Sequence, residues 1–557
     1  MGLPLFKTNF GTLWLLHPLP GGAGPVVTCG VFLDVPANCY AFTGLPPKSD
    51  RASGPMLRKV STLLVAVICF LSVRAAAHDE HKALPKSAKA KTAAGKSMPL
   101  TTSSAKARDL YQRALQDYEL LYLERATIGW RAAAKEDPQF AASFAMLAMN
   151  SRDPEEARTA REHAKEVAAK ASAGEKLMIR WVATVQEGNF LDGIAAMNDM
   201  IAMFPGDKHV YYIAANWLMG VQGNEQAHHL LHKSLEIDPD FAPALNNLAY
   251  LHARDREFGE ALQAMDRYAA LLPKEPNPQD SYGEILRMAG KFDSALEHYR
   301  AALAIDASFN TSQVGLADTY ALMGDQERAR QEYDKAIDNE PNQANRFDYR
   351  MQKAITWVRE KNYVEADRQL WRISVEAHGQ SYELQEAQAL RRMAQYAADD
   401  QQAVERLTSA EDALTHRNNL SASDRDEELA HVLRLRAARL LQIGKADASQ
   451  ASLNRLSELA SGNRDLVIQE CWHGAAGEML AAKGNFKGAV PELEEDQDNP
   501  ETLALLVRAY KETGAIDKSQ ATAERLRMTN MPSLEQALAA SAARDKASQP
   551  PEPVAAR

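Results

Sequence analysis

The sequence contains little cysteine. Only four of its 557 residues are cysteine, and three of them, Cys29, Cys39 and Cys69, precede residue 70. Cys471 therefore has no partner for an intrachain disulfide in the body of the chain, whose stability must come from packing. Because Cys471 lies beside Trp472 in a helical stretch, we predict that it is a small core residue and not a reactive thiol.

Catalytic and ligand-binding motifs are absent as well. The chain has no glycine-rich loop to hold a phosphate, no nucleophile elbow and no cluster of cysteine ligands. His228 and His232 are four residues apart on one predicted helix face, a spacing that suits zinc, but no third ligand accompanies them. We therefore predict no catalytic residue, no metal and no cofactor.

No apolar run is long enough to cross a membrane. The run from Val60 to Val73 has 14 residues, whereas a spanning helix needs roughly 17–25. Arg58 and Lys59 precede this run and three alanines follow it, which is the layout of a signal peptide over residues 56–77. We expect an exported protein, periplasmic or secreted. The alternative is an uncleaved segment that anchors the chain to the inner membrane.

Residues 1–55 differ from the rest of the chain. They contain eight glycines and eight prolines but only five charged residues, and no helical period survives such a density of helix breakers. A signal peptide belongs at the start of a chain. We therefore expect translation to begin at Met56, with residues 1–55 either not translated or disordered.

Charge is unevenly distributed. Residues 78–108 contain seven Lys or Arg and two acidic residues, whereas from Asp109 onward 51 basic residues face 70 acidic ones. An acidic body argues against binding nucleic acid, which requires a basic surface. Residues 78–104 are predicted to be a flexible basic linker that could make peripheral contact with a membrane or a cell-wall polymer.

A period of 34 residues organises the region from Leu177 to Pro341. Two sets of small residues recur at this interval, and a proline recurs where each repeat ends. Two helices approach closely only where the facing residue is small, and proline cannot continue a helical hydrogen-bond ladder. The pattern therefore predicts stacked helical hairpins. The repeated positions are Ala215, Ala249, Gly283 and Ala317; Ala227, Ala261, Ala295 and Ala329; and Pro205, Pro239, Pro273 and Pro341, with Ala307 at the one position without proline.

At these positions the sequence resembles the tetratricopeptide repeat family. The resemblance implies an all-α fold, a right-handed superhelical solenoid of stacked antiparallel hairpins, over residues 105–380. Apolar spacing predicts degenerate repeats over residues 381–546, ending in a capping helix from Ser533 to Lys546, and a disordered tail over residues 547–557. A separate helical domain in the carboxy-terminal half remains open. Gly223, Gly290 and Gly324 are each expected where a first helix ends.

The resemblance also implies a binding face. Tetratricopeptide superhelices hold peptide segments on the inner face, which the first helix of each hairpin lines. Neutral amides on such a face can satisfy a ligand's backbone groups, and aromatic rings add apolar area at small entropic cost. The candidate groove residues are Tyr212, Asn216, Asn246, Asn247, Tyr250, Arg254, Glu284, Arg287 and Asp318.

One known use of this fold does not match. Family members that clamp a carboxy-terminal carboxylate combine two Asn residues with cations, and Asn216 and Asn247 match the two Asn positions. The cation positions hold Tyr212, Asn277 and Ser281, so the charge that would bind a carboxylate is missing.

We therefore expect a non-enzymatic protein–protein interaction scaffold of the cell envelope or exterior. Runs such as Trp130 to Phe144 resemble the repeat arms of bacterial multidomain regulators, which sense or assemble. The alternative is an accessory factor for envelope assembly, secretion or polysaccharide export. An enzyme or metal-binding protein with a site in the carboxy-terminal half is the less favoured class.

Overall fold

The computed structural model describes residues 97–416, 420–463 and 465–539. The chain divides into two units, residues 1–85 and 86–557, and every described residue belongs to the second. The predicted extension, the signal peptide, most of the basic linker, the end of the capping helix and the tail lie outside the described residues. Within the described ranges, no helix combines the length and apolar character that crossing a bilayer requires.

The described ranges contain 24 α-helices, a further helical stretch at residues 534–539, one short 3-10 turn and no strand. The helices of the first six hairpins are α1 (Ala105–Glu119), α2 (Leu123–Glu136), α3 (Ala141–Asn150), α4 (Pro154–Val167), α5 (Ala173–Gln186), α6 (Phe190–Met203), α7 (Lys208–Gly220), α8 (Asn224–Ile237), α9 (Ala242–Arg254), α10 (Phe258–Leu271), α11 (Asn277–Met288) and α12 (Phe292–Ile305). The remaining helices are α13 (Asn310–Met323), α14 (Gln326–Asn339), α15 (Gln343–Arg359), α16 (Tyr363–Gly379), α17 (Glu383–Gln395), α18 (Asp400–His416), α19 (Ala422–Gln442), α20 (Ala446–Asn463), α21 (Leu466–Ala482), α22 (Phe486–Leu493), α23 (Pro500–Glu512) and α24 (Ile516–Arg527).

Consecutive helices pack in pairs, and each pair packs on the next. The odd-numbered helices, which come first in their hairpins, also contact one another along much of the row, as between α9 and α11 or between α11 and α13. One side of the stack is therefore lined by first helices. The predicted all-α solenoid of stacked hairpins is confirmed.

Small residues lie at the helix contacts, as predicted. The alanines at the two repeated positions are fully buried, including Ala249 in α9 and Ala261 in α10. Gly283 and Gly315 of successive first helices both lie against the Cδ1 and Cε1 atoms of the Tyr299 ring, and a Cβ atom at Gly315 would overlap that ring. The stack therefore needs glycine or alanine at these contacts, because a larger side chain would separate the helices.

The turns between helices confirm two of the three predicted glycine positions. Gly290 and Gly324 have φ angles of 76° and 92°, in the left-handed region. The prediction for Gly223 is wrong, because Gln222 has the positive φ of 62° there. Gly223 is instead the N-cap residue before α8, and its lack of a side chain admits the Leu218 carbonyl, which accepts a 2.7 Å hydrogen bond from the Gly223 amide.

The repeats become irregular towards the carboxy terminus, as predicted. Helices α15 and α16 each have 17 residues and α19 has 21, whereas α22 has eight and contains Pro491. Cys471 is 2% exposed within this part, so its predicted core position is confirmed. Burial raises the pKa of the Cys471 thiol to about 12, which keeps it protonated and unreactive at neutral pH.

Candidate peptide-binding face

All nine predicted groove residues lie on first helices. Tyr212 and Asn216 belong to α7, Asn246, Asn247, Tyr250 and Arg254 to α9, Glu284 and Arg287 to α11, and Asp318 to α13. We call the surface formed by α7, α9, α11, α13, α15 and α17 the first-helix face. Four of the nine side chains are buried, namely Tyr212, Asn246, Asn247 and Arg287, and the other five are partly exposed.

The residues from α7 and the start of α9 form a network with α1. The Asn247 amide donates to Asn216 Oδ1 at 3.1 Å, and the Asn216 amide donates to the Tyr118 hydroxyl at 2.5 Å. Tyr118 also lies edge-on against Tyr212, with ring centroids 6.2 Å apart. This chain therefore already uses part of the hydrogen-bonding capacity of these two amides, which leaves less of it for a ligand backbone.

A second group of predicted residues surrounds Arg287. Its Nη2 donates to Glu284 Oε1 at 2.7 Å, and the Tyr250 hydroxyl donates to Glu284 Oε2 at 2.9 Å. Asp318 accepts a hydrogen bond from the Tyr333 hydroxyl. The structure thus brings four of the predicted residues, from α9, α11 and α13, into one polar cluster.

The cluster contains more carboxyl groups than guanidinium groups. Burial raises the pKa of Asp318 to about 6, with Arg287 and the Tyr333 hydroxyl opposing the shift. Burial likewise raises the pKa of the neighbouring Asp280 to about 7, although Ser312 donates a 2.5 Å hydrogen bond to it. Burial alone would lower the pKa of Arg287, but Tyr299, Glu284 and Asp318 together raise it above its ordinary value. Arg287 is therefore a permanent buried cation.

Arg254 lies at the margin of this cluster. Its Nη1 donates to Asn224 Oδ1 at 3.3 Å, and its Nη2 bonds to Gln222. Its guanidinium is also 3.7 Å from Asp498, which follows α22. Arg254 thus joins the middle of the chain to its carboxy-terminal hairpins, a contact that the repeat pattern does not reveal.

Residues 528–539, which we call the C-terminal segment, lie on the first-helix face. Arg287 Nη1 donates to the Asn530 carbonyl at 3.0 Å, and the Asn530 amide donates to the Met288 carbonyl at 3.2 Å. Arg359 of α15 donates to Gln536 Oε1 at 2.7 Å and to the Ser533 carbonyl at 3.4 Å. The face therefore holds a segment of this chain that is about 240 residues from α11.

The helical part of the C-terminal segment, residues 534–539, adds apolar contacts. Leu534 and Ala537 are buried with Ile355, Val358 and Ala366 of the α15–α16 hairpin. Ala539 packs against Leu503 and Leu526 of the last hairpin. Residues 534–539, the described part of the predicted capping helix, therefore contact the last hairpin through Ala539 and the first-helix face through Leu534 and Ala537.

Sequence reasoning missed Arg359, Gln395 and the C-terminal segment as parts of this face. Gln395 Nε2 donates to Glu535 Oε1 at 3.1 Å. Two signals were available: Arg287 and Arg359 both lie in the last turn of a first helix, and Leu534 to Leu538 is an amphipathic run after Pro532. Neither signal indicates that the two elements meet.

Two other features bear on chemistry. The rings of His228 and His232 are tilted at 53° to one another with centroids 4.5 Å apart, and burial together with the neighbouring imidazoles lowers the pKa of His228 to about 4. His228 is therefore neutral at pH 7. In the part of the chain that the structure describes, no group of three or more His, Cys, Asp or Glu side chains is arranged to hold a metal ion.

A cavity of about 290 Å³ lies between α3–α7 and the α17 and α19 helices. Trp181 and Trp217 line it on one side and Gln385, Asp424 and Glu427 on the other. Burial raises the pKa of both carboxyls. Most of the cavity lining comes from residues 148–221, and the rest comes from residues 384–427.

Comparison with known proteins identifies the repeats. Residues 286–349 match the family model of the tetratricopeptide repeat. A relative from Bacillus subtilis, the TPR repeat-containing protein YpiA, is 23% identical over 164 residues, which are 29% of this chain and 39% of the relative. The chain thus spans about two fifths of the length of that curated relative.

Solved structures of the same class are similar to larger parts of the chain. A tetratricopeptide repeat protein from Parabacteroides merdae covers 48% of this chain and 93% of its own, with 14% identity and a TM-score of 0.31. Yeast Tom70 covers 76% of this chain and 90% of its own, with 11% identity and a TM-score of 0.41.

Proposed function

We propose that this chain, a member of the tetratricopeptide repeat family, is a non-enzymatic scaffold of the cell envelope or exterior that holds a peptide or protein segment on its first-helix face. Repeats of this family bind protein or peptide partners, so the broad class, a protein–protein interaction scaffold, follows from the family. The face, the form of the ligand and the location are the specific parts of the proposal.

One observation carries the choice of face. Arg287 and Arg359 donate hydrogen bonds to main-chain carbonyls of the C-terminal segment, at 3.0 and 3.4 Å. A main-chain carbonyl is present at every position of any peptide, so these contacts do not depend on one particular side chain. The same two arginines can hold an extended segment of another protein.

Export is proposed from the sequence, on the layout of residues 56–77. It predicts that the mature protein lacks everything up to about residue 77 and is found in the envelope or the medium. Amino-terminal sequencing of the protein from fractionated cells tests this. Recovery of a peptide from before Met56, or of the protein in the cytosolic fraction alone, would contradict it.

The basic linker favours a second candidate, an accessory factor for envelope assembly or secretion. The amides of Met98 and Thr101 donate to Asp207 and Glu175, and Ser104 caps α1, so residues 97–104 must be kept. If the rest of the linker contacts a membrane or wall polymer, deleting residues 78–96 should release the protein from the envelope fraction while the repeats stay folded. Retention of the shortened protein in the envelope would count against this role.

The peptide-binding role can be tested by selecting displayed random peptides on the purified chain and measuring their affinity for two variants. Glu284→Ala with Arg254→Ala changes partly exposed groups of the face. Glu327→Ala with Arg328→Ala changes groups of the second helix α14 and is the control. We expect the face variant to weaken binding at least tenfold and the control to leave it unchanged. Equal affinity for both variants would exclude this face.

A further inference from the structure

We infer that the C-terminal segment is a built-in ligand of the first-helix face, which a partner must displace in order to bind there. This inference rests on the proposed function, because it assigns a competitor to the same face. It also gives the kind of partner: a segment that reproduces the contacts of residues 528–539.

The main-chain contacts are those expected for a bound peptide. Arg256, Arg287 and Arg359 donate to the carbonyls of Met528, Asn530 and Ser533, in the same order along the segment as along the face. In the opposite direction, the Asn530 side-chain amide donates a hydrogen bond to the Met288 carbonyl of the face. The segment is thus held at three points by arginines from three different hairpins, each with a fixed donor geometry.

The side-chain contacts provide specificity. Leu534 is 3% exposed and Gln536 is 1% exposed, so both are sequestered by the face. Burial would raise the pKa of Glu535, but Arg391, Arg392 and the hydrogen bond from Gln395 hold it below its ordinary value. The face therefore recognises a leucine, a carboxylate and an amide at successive positions 534–536.

The segment is an occupant of the face and not a part of its framework. The hairpins from α11 to α18 pack on their neighbours through their own buried residues, such as the cluster that contains Tyr299 and the one that contains Phe347. In repeat proteins such nearest-neighbour contacts suffice for folding. Leu534 and Ala537 of residues 534–539 are buried against α15 and α16, so the segment is held by its contacts with the face.

The partner that fits is an acidic amphipathic segment. It needs an extended stretch whose carbonyls reach the arginines, followed by a short helical turn with a leucine facing Ile355 and Val358 and a carboxylate near Arg391. A basic segment is disfavoured at this end of the face, because Arg359, Arg391 and Arg392 would repel it.

The test uses a fluorescent synthetic peptide of residues 528–539 and two proteins, the full chain and a chain that ends at Arg527. We expect the peptide to bind the shortened chain at least tenfold more tightly than the full chain, because only the full chain carries the competing segment. Arg359→Ala in the shortened chain should weaken binding about tenfold. In the peptide, Leu534→Ala should have a similar effect, whereas Met531→Ala, at a residue 46% exposed, should have none.

Full-length Leu534→Asp is a second variant that tests the same inference if the shortened chain misfolds. It keeps every residue but places a charge in the apolar contact, and it should bind the peptide as the shortened chain does. Equal binding of the peptide by the full chain and by a folded shortened chain would overturn the inference. Unfolding of both the shortened chain and Leu534→Asp would also overturn it, because the segment would then be part of the framework.

The two proposals fail in different ways. If this peptide does not bind the shortened chain while selected foreign peptides still bind the face, the inference of a built-in ligand is refuted and the proposed scaffold function stands. If the peptide of residues 528–539 binds but no foreign peptide can be selected, the segment is only an intramolecular contact and the proposed function is refuted.

Discussion

At the scale of single residues, the polar cluster around Arg287 combines one guanidinium with the carboxyls of Asp280, Glu284 and Asp318. Asp280 is 7% exposed, and burial raises its pKa to about 7. An ordinary aspartate in the unfolded chain has a pKa of about 3.9. The folded state therefore binds the Asp280 proton more tightly than the unfolded state does.

This difference in proton affinity determines the direction in which stability changes with pH. A carboxyl with a raised folded pKa adds stability that is fully present below the unfolded pKa and is lost as the pH rises through the folded one. Asp280→Asn keeps an acceptor for the Ser312 hydroxyl but does not titrate. We expect its free energy of unfolding, relative to the unchanged chain, to rise by on the order of 1–3 kcal/mol between pH 4 and pH 8.

Urea unfolding at several pH values measures this difference. Asp293→Asn, at an exposed position of α12, is the matched control and should give a difference that varies little with pH. A constant difference for Asp280→Asn across the same range would mean that Asp280 is ionised in the fold at neutral pH.

At the scale of helices and hairpins, the sequence predicted most of what the structure contains. The 34-residue spacing of Ala and Gly predicted the helix contacts, because a small residue at a helix crossing is a local requirement that leaves a periodic trace. The turn at Gln222 escaped prediction, since a left-handed Gln carries no such trace. The contacts of residues 528–539 escaped prediction too. Each repeat that they touch matches the pattern without them, so they leave no periodic trace in the sequence.

A buried ion network joins the irregular carboxy-terminal hairpins. Arg434 of α19 donates to Asp496 at 2.7 Å, to Glu478 of α21 at 3.0 Å and to Thr502 of α23 at 2.8 Å. Arg434 and Asp496 are 8% and 5% exposed. One guanidinium thus joins three consecutive first helices.

Removing this cation leaves buried carboxylates without a partner, which typically costs about 3–5 kcal/mol. We expect Arg434→Met to lower the free energy of unfolding of the chain by that amount. Arg455→Met is the control, because the Arg455 side chain is 48% exposed in its ion pair with Glu411 and such pairs contribute about 1 kcal/mol or less. Similar small losses for both variants in urea titrations would show that the network does not hold these hairpins together.

At the scale of the whole molecule, several contacts join helices that are far apart in sequence. The rings of Tyr122 and Phe309 are 5.2 Å apart, Arg152 pairs with Asp348, and α5 packs against α19. A stack whose repeats touch only their neighbours unfolds in parts, with each hairpin responding mainly to the next. Contacts between distant repeats make the parts interdependent, so the unfolding of the described hairpins should be more cooperative than their repeat sequence suggests.

The C-terminal segment is the longest of these connections, since it ties the last hairpin to α11 and α15. A chain that ends at Arg527 should therefore keep its folded helices but lose cooperativity, with faster amide hydrogen exchange in α23 and α24 than in α11 to α16. A chain that ends at Ala539 retains the segment and is the control. Equal protection of α23 and α24 in the two chains would mean that the last hairpin is stabilised by its neighbours alone, and that displacing the segment from the face leaves the rest of the stack unaffected.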